Sequence, residues 1–143
     1  MLVLHIFRYQ YGYKYLYTLY MGLGVILGHN YPFYLNFKGG KGVASTAGGL
    51  TALDLRIMLA CLIVFLLTVV KTRFVSLASM LVMLTFVIMC FILSHKWFMW
   101  MSARALTEFR LLSLIIGLLS IYRHKENIIR LIQGNENKLS FKK

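Results

Sequence analysis

Between Phe74 and Ser94 the chain carries no charged residue. A helix over that run, rising about 1.5 Å per residue, crosses the roughly 30 Å of hydrocarbon in a bilayer. In lipid every backbone N–H and C=O must be satisfied within the protein, which restricts a spanning segment to a helix or a closed barrel. Composition points the same way: 59% hydrophobic residues and a mean hydropathy of +0.72 leave more apolar surface than one soluble core of 143 residues can hide. The expected fold class is all-α: a polytopic integral membrane protein with about five to six membrane helices, forming one transmembrane domain over residues 1–143.

Further apolar stretches run from Tyr15 to Leu27, Val43 to Leu53, Ile57 to Val70 and Ala103 to Tyr122. Polar breaks separate the later ones at Asp54-Leu55-Arg56, Lys71-Thr72-Arg73 and Ser94-His95-Lys96. Met1 to Phe7 reads as the tail of a helix, with the tyrosine-dense Arg8 to Lys14 as an outer loop. It lacks the basic start and the small-residue cleavage site of a signal peptide. Trp97-Phe98-Met99-Trp100 reads as an interfacial aromatic belt. Cys61 and Cys90 lie in apolar segments, where a thiol behaves as a small hydrophobe.

Sixteen Lys and Arg against four acids leave a net charge of +12. The basic residues fall between apolar segments rather than along one polar face, which argues for membrane topology and against a nucleic-acid partner. If the last four stretches all cross, the Lys38/Lys41 loop, the Lys71/Arg73 turn and the tail after Arg123 share one side, which the positive-inside rule makes cytoplasmic. If the short Val43 to Leu53 stretch does not cross, the loop and the tail fall on opposite sides. Arg104 and Glu108, four apart, are placed to pair on one helix face. Arg110 either snorkels to the interface or serves a substrate anion.

Two polar constellations carry chemistry. In Lys38-Gly39-Gly40-Lys41-Gly42 glycines interleave with lysines ahead of a helix-compatible segment. Such a loop can aim backbone N–H groups, a helix N-terminus and a full charge at a phosphate, or it can be a flexible basic loop that only sets topology. It is not a nucleoside-triphosphate loop, because Gly42 follows the lysine and Asn36 stands where a glycine is required. In the tail, His124 and Asn127 are three apart, so a continuing helix sets them on one face, followed by Arg130 and Gly134. Ile128, Leu131 and Ile132 form an apolar strip beside them, so the tail is either an interfacial anchor or part of a site with a histidine poised near neutral pH. His29 and Asn30 either approach that cleft or cap backbone ahead of Pro32. No metal or other cofactor is expected, since the loops hold no cluster of carboxylates and histidines.

Four blocks in order carry a resemblance: Gly28-His29-Asn30-Tyr31-Pro32-Phe33; Phe37-Lys38-Gly39-Gly40-Lys41-Gly42-Val43-Ala44; Thr72-Arg73-Phe74-Val75-Ser76-Leu77-Ala78-Ser79; and Arg123-His124-Lys125-Glu126-Asn127-Ile128 with Gly134-Asn135-Glu136-Asn137-Lys138. Together they resemble the bacterial, membrane-bound acyl-phosphate-dependent glycerol-3-phosphate acyltransferase family. The resemblance implies an enzyme of the bacterial cytoplasmic membrane, its active side and C-terminus cytoplasmic. It would move a fatty acyl group from acyl phosphate to the 1-hydroxyl of glycerol 3-phosphate, giving lysophosphatidic acid and phosphate. Its partners would be those substrates, the lipid bilayer and the enzyme that supplies acyl phosphate.

By the same resemblance Gly39, Gly40, Lys41 and Gly42, with Lys38 beside them, bind phosphate, and His124 and Asn127 are catalytic. Glu136 holds the structure. The family begins with a further span and a polar motif of Ser, Gly, Asn and Arg, which nothing before Tyr15 resembles, so the chain is expected to be N-terminally incomplete. The alternative is a truncated, non-catalytic membrane protein whose basic loops bind anionic lipid head groups.

Overall fold

The computed structural model describes residues 2–97 and 101–140. Among them there is no strand. The helices are α1 (Leu2–Asn30), α2 (Val43–Leu53), α3 (Leu55–Thr72), α4 (Val75–Trp97), α5 (Ala103–Arg123) and α6 (Lys125–Ile132), with a short 3-10 turn at Phe33–Leu35 after α1.

The breaks between helices have local causes. Pro32 follows α1, cannot donate a backbone hydrogen bond and adopts φ −68. Asp54 caps α3 by accepting from the Arg56 N–H at 2.8 Å, and Ser102 caps α5 through the Ala105 N–H at 3.2 Å. Arg73 ends α3 in a left-handed conformation, φ 62, and the chain reverses into α4. Leu55–Thr72, Val75–Ile92 and Ala103–Arg123 are long and apolar enough to cross a membrane, with mean hydropathies of 2.2, 2.6 and 1.6. The expected five to six membrane helices are thus three by length and composition among the described residues, joined by the long α1 and the short apolar α2. The fold is an all-helical, polytopic membrane protein.

Packing closes the first five helices into a ring in which α1 neighbours α2 and α5, α2 neighbours α3, and α4 sits between α3 and α5. Its core includes Ile26 from α1, Leu50 from α2, Ile57 from α3, Phe86 from α4 and Phe109 from α5. With lipid outside, helices gain by close contact between small residues rather than by escape from water. Gly49 of α2 faces the Gly22 backbone of α1, and a Cβ at Gly117 of α5 would stand 2.7 Å from Val87 of α4.

Two expectations are corrected. Arg8 to Lys14 is not a loop but lies within α1, because no proline or glycine pair interrupts a helix already nucleated. Glu108 accepts the Tyr20 hydroxyl from α1, and no Arg104–Glu108 ion pair forms among the described residues, since a phenol on the neighbouring helix reaches the carboxylate. Arg110 donates to Ser94 Oγ at 3.2 Å and to the Phe91 carbonyl at 3.3 Å, so it is held by the end of α4. Cys61 and Cys90 are buried free thiols. The aromatic belt falls partly on residues 98–100, outside the described residues.

The basic segments meet at one end of the ring. Arg123 at the end of α5 binds the glycine loop, and the Leu139 N–H donates to the Arg73 carbonyl at 2.8 Å.

Candidate active site

The glycine loop is a backbone clasp. The Gly39 N–H donates to the Asn30 carbonyl and the Gly40 N–H to the His29 carbonyl, each at 3.2 Å. A Cβ at Gly39 would overlap the His29 carbonyl oxygen, and one at Gly40 would overlap the His29 ring. From the other side the Arg123 guanidinium donates to the Gly39 carbonyl at 2.9 Å and the Gly40 carbonyl at 2.8 Å while lying over the Tyr31 ring. Gly39 and Gly40 therefore do not form the expected nest of N–H groups aimed at an anion. Their amides hold the end of α1, and their lack of side chains permits that approach.

The part of the loop that faces a cavity begins at Lys41. Gly42 takes φ +77 and starts α2 with no side chain capping the first N–H groups, so the positive end of the helix stays open beside Lys41. Lys41 and Val43 line a cavity of about 330 Å³ together with His124, Asn127 and Glu136. Val75 and Ser76, the first turn of α4, line it too, so two helix N-termini meet here.

His124 caps α5 and is 1% exposed. Its Nδ1 lies 2.8 Å from the Ser120 carbonyl. A carbonyl only accepts, so Nδ1 carries the proton and Nε2 the lone pair. Burial, aided by the Lys41 charge, pushes the imidazole below its ordinary value against the pull of the Ser120 carbonyl and Glu136. The ring is thus neutral, and a proton acceptor, at neutral pH.

Gly134, at φ +72, turns the tail back after α6 so that Glu136 lands on the helix it has just left. Glu136 Oε1 accepts from Ser76 Oγ at 2.9 Å and from Asn127 Nδ2 at 2.8 Å, and Oε2 accepts from Arg130 Nε at 3.0 Å. Burial opposes charge on this carboxylate, but the three donors outweigh it and hold Glu136 below the usual carboxylate range. Because the carboxylate takes the Asn127 amide nitrogen, the Asn127 Oδ1 is left buried and without a partner in a residue lining the cavity. It is a ready acceptor for a substrate hydroxyl.

Val43 and Ser79 also line a second, apolar cavity of about 410 Å³ between α2, α3 and α4, with Leu50, Phe65 and Met83 in its wall. A charged compartment thus adjoins an apolar slot.

The fold brings Lys41, His124, Asn127 and Glu136 together. Gly39, Gly40, His29 and Asn30 support the loop through their backbones, and Lys38 is exposed outside the lining of the cavity. Sequence reasoning missed Ser76 and Arg123. Both lie inside blocks that carried the resemblance, which was the available signal, but neither spacing nor composition showed that they would reach Glu136 and the glycine loop.

Fold and pocket define a helical membrane protein in which a cavity lined by Lys41, His124 and Glu136 adjoins an apolar slot. A family model described as glycerol-3-phosphate acyltransferase matches residues 1–134. The glycerol-3-phosphate acyltransferase of Halalkalibacterium halodurans is 39% identical over 122 residues, covering 85% of this chain and 56% of its own length. That of Macrococcus caseolyticus is 37% identical over 125 residues, covering 87% and 59%. Among solved structures, the integral membrane glycerol 3-phosphate acyltransferase PlsY (YgiH) in its glycerol 3-phosphate form matches with a TM-score of 0.73 at 34% identity, over 85% of this chain and 56% of that one. Its lysophosphatidic acid form gives 0.72. The chain belongs to the glycerol-3-phosphate acyltransferase family, and it spans a little over half the length of the relatives it matches.

Proposed function

We propose that this chain carries the phosphate-binding and proton-accepting parts of an acyltransferase that moves a fatty acyl group from acyl phosphate to the 1-hydroxyl of glycerol 3-phosphate. The products are lysophosphatidic acid and phosphate, an early step of phospholipid biosynthesis. The observation that carries this reading is the shared wall at Val43 and Ser79 between a cavity lined by Lys41, His124 and Asn127 and an apolar slot. That arrangement suits an anionic amphiphile meeting a water-soluble phosphate.

In the reaction the hydroxyl oxygen bonds to the acyl carbonyl carbon and the bond from that carbon to the phosphate oxygen breaks. Lys41 and the N-termini of α2 and α4 orient and neutralise the phosphates. In the bound state Asn127 Oδ1 accepts from the attacking hydroxyl and holds it in place; on attack the hydroxyl turns its one proton from Asn127 to His124 Nε2 or to the departing phosphate. Glu136 acts by orienting Asn127. The side bearing Lys41, Arg73 and the tail is cytoplasmic in a bacterial inner membrane, which the collected positive charge favours. The enzyme that makes acyl phosphate is the expected supplier of the donor.

The test is membrane vesicles containing the chain, given labelled glycerol 3-phosphate and an acyl phosphate. Labelled lysophosphatidic acid is expected, and His124→Gln should lower turnover about 10²–10⁴-fold at saturating substrate. A near-normal rate in that variant would remove His124 as the base. Head-group binding without turnover would instead support a non-catalytic lipid-binding protein.

A further inference from the structure

The turn between α1 and the glycine clasp displays its largest apolar side chains. Phe33 is 78% exposed, Tyr34 72%, Leu35 53% and Phe37 64%. This is not slack chain. Leu35 and Phe37 donate to the Pro32 carbonyl, Asn36 to Phe33 and Lys38 to Leu35, at 3.0–3.2 Å. Asn36 and Phe37 both sit in the left-handed region, at φ 51 and 59. A phenylalanine rarely adopts that conformation, and here the backbone holds it while the ring stays exposed.

The depth of the turn is also set. Arg123 is the last residue of the α5 span, and its guanidinium binds the Gly39 and Gly40 carbonyls, so residues 33–37 lie level with the end of a membrane-crossing helix. A 21-residue span of this composition ends near the boundary between head groups and acyl chains. Lys38, exposed and outside the lining of the Lys41 cavity, follows immediately and complements anionic head groups.

We propose that the 33–37 turn is an interfacial anchor: Phe33, Tyr34, Leu35 and Phe37 enter the head-group boundary of an anionic leaflet, with Lys38 on its phosphates. The clasp then ties the mouth of the Lys41 cavity to the depth at which lipid head groups lie. The inference concerns membrane depth and not turnover, so it stands or falls apart from the acyltransferase reading.

The test places one tryptophan in the turn, Tyr34→Trp, with Trp97→Phe and Trp100→Phe, and reconstitutes the full chain into phosphatidylglycerol/phosphatidylcholine vesicles. Phosphatidylcholine brominated near the top of its acyl chains should quench the blue-shifted emission about two-fold or more, and aqueous iodide should quench it little. Strong iodide quenching without an effect of bromine would put the turn in water and overturn the proposal. Blue-shifted emission that neither quencher touches would put it under protein, another segment or a second copy, and would overturn it equally. If Tyr34→Trp disturbs the fold, Tyr34→Cys carrying a spin label gives the same depth by comparing oxygen with an aqueous nickel relaxant.

Discussion

The glycine clasp and the Glu136 knot both secure a polar strand across the same end of the helix ring, but one is built from backbone and the other from side chains. In the clasp, Gly39 and Gly40 meet carbonyls of α1 and the Arg123 fork, and apart from that guanidinium it is the side chain each glycine lacks that matters. In the knot, one carboxylate gathers Ser76, Asn127 and Arg130 from α4 and α6. The clasp is therefore a steric device, indifferent to pH and intolerant of volume. The knot is an electrostatic device, tolerant of modest shape change and sensitive to protons. Lys41 hangs from the first and Asn127 from the second, so the two halves of the proposed site answer to different perturbations.

The largest effect should come from cutting the knot. Glu136→Ala leaves the Asn127 amide and Ser76 without their acceptor and Arg130 without its counter-ion, at a cost of about 3 kcal/mol, the low end of the range for a buried pair because Arg130 is partly hydrated. Thermal unfolding in detergent should show it, and turnover should fall with it as Asn127 loses its orientation. A variant as stable and as active as the parent would mean that Glu136 organises nothing. Next is Gly39→Ala, where the new methyl group has no room against the His29 carbonyl. We expect a loss of about 1–3 kcal/mol, the same at pH 5 and pH 8, and loosened proteolytic protection of the loop. A loss that grows in acid would show that the clasp depends on charge after all.

Arg123→Lys should cost about 1 kcal/mol or less, because an ammonium reaches one glycine carbonyl but not two as a fork. If the clasp positions Lys41, the Michaelis constant for glycerol 3-phosphate rises several-fold with kcat little changed. A change in kcat alone would assign Arg123 to the chemistry.

The smallest effect is on the acid limb of stability. Glu136, held below its ordinary value, contributes stability above the normal carboxylate range, lost as pH falls through its folded value. His124, also lowered, favours the folded state less once pH drops below the ordinary imidazole value of 6.5, where the unfolded chain takes up a proton and the buried ring resists one. Both make melting temperature fall on acidification. Glu136→Ala should flatten the lower part of that slope and, by removing a charge that raises the His124 value, keep or deepen the His124 part, which unfolding measured from pH 3 to pH 8 would separate.

Much of the fold was readable in advance, because length and apolarity decide whether a segment can cross lipid. The stretches from Ile57, from Phe74 and from Ala103 became α3, α4 and α5 with ends shifted by a few residues. Arg8 to Lys14 misled because aromatic, glutamine-containing sequence looks interfacial yet continues a helix at little cost. Lys41, His124, Asn127 and Glu136 were legible as types of residue with a chemistry. The approach that Gly39 and Gly40 permit was not legible: a Gly-rich run signals close backbone approach, and sequence does not say whether a ligand or another helix end makes that approach.

What the sequence determined by itself was a basic, helical membrane protein with two polar blocks fit for phosphate, because hydropathy and residue chemistry are local properties. Only the tertiary structure decided where the hydrogen-bonding capacity of those blocks goes. Gly39 and Gly40 give theirs to α1 and Arg123, Asn127 gives its nitrogen to Glu136, and what remains open includes Lys41, the N-terminus of α2, the buried Asn30 side-chain amide, the Asn127 oxygen and the neutral His124 ring. A buried donor or acceptor is costly without a partner, and the partners of these groups lie on other elements, from nine residues away for Asn127 and Glu136 to 84 for Arg123 and Gly39.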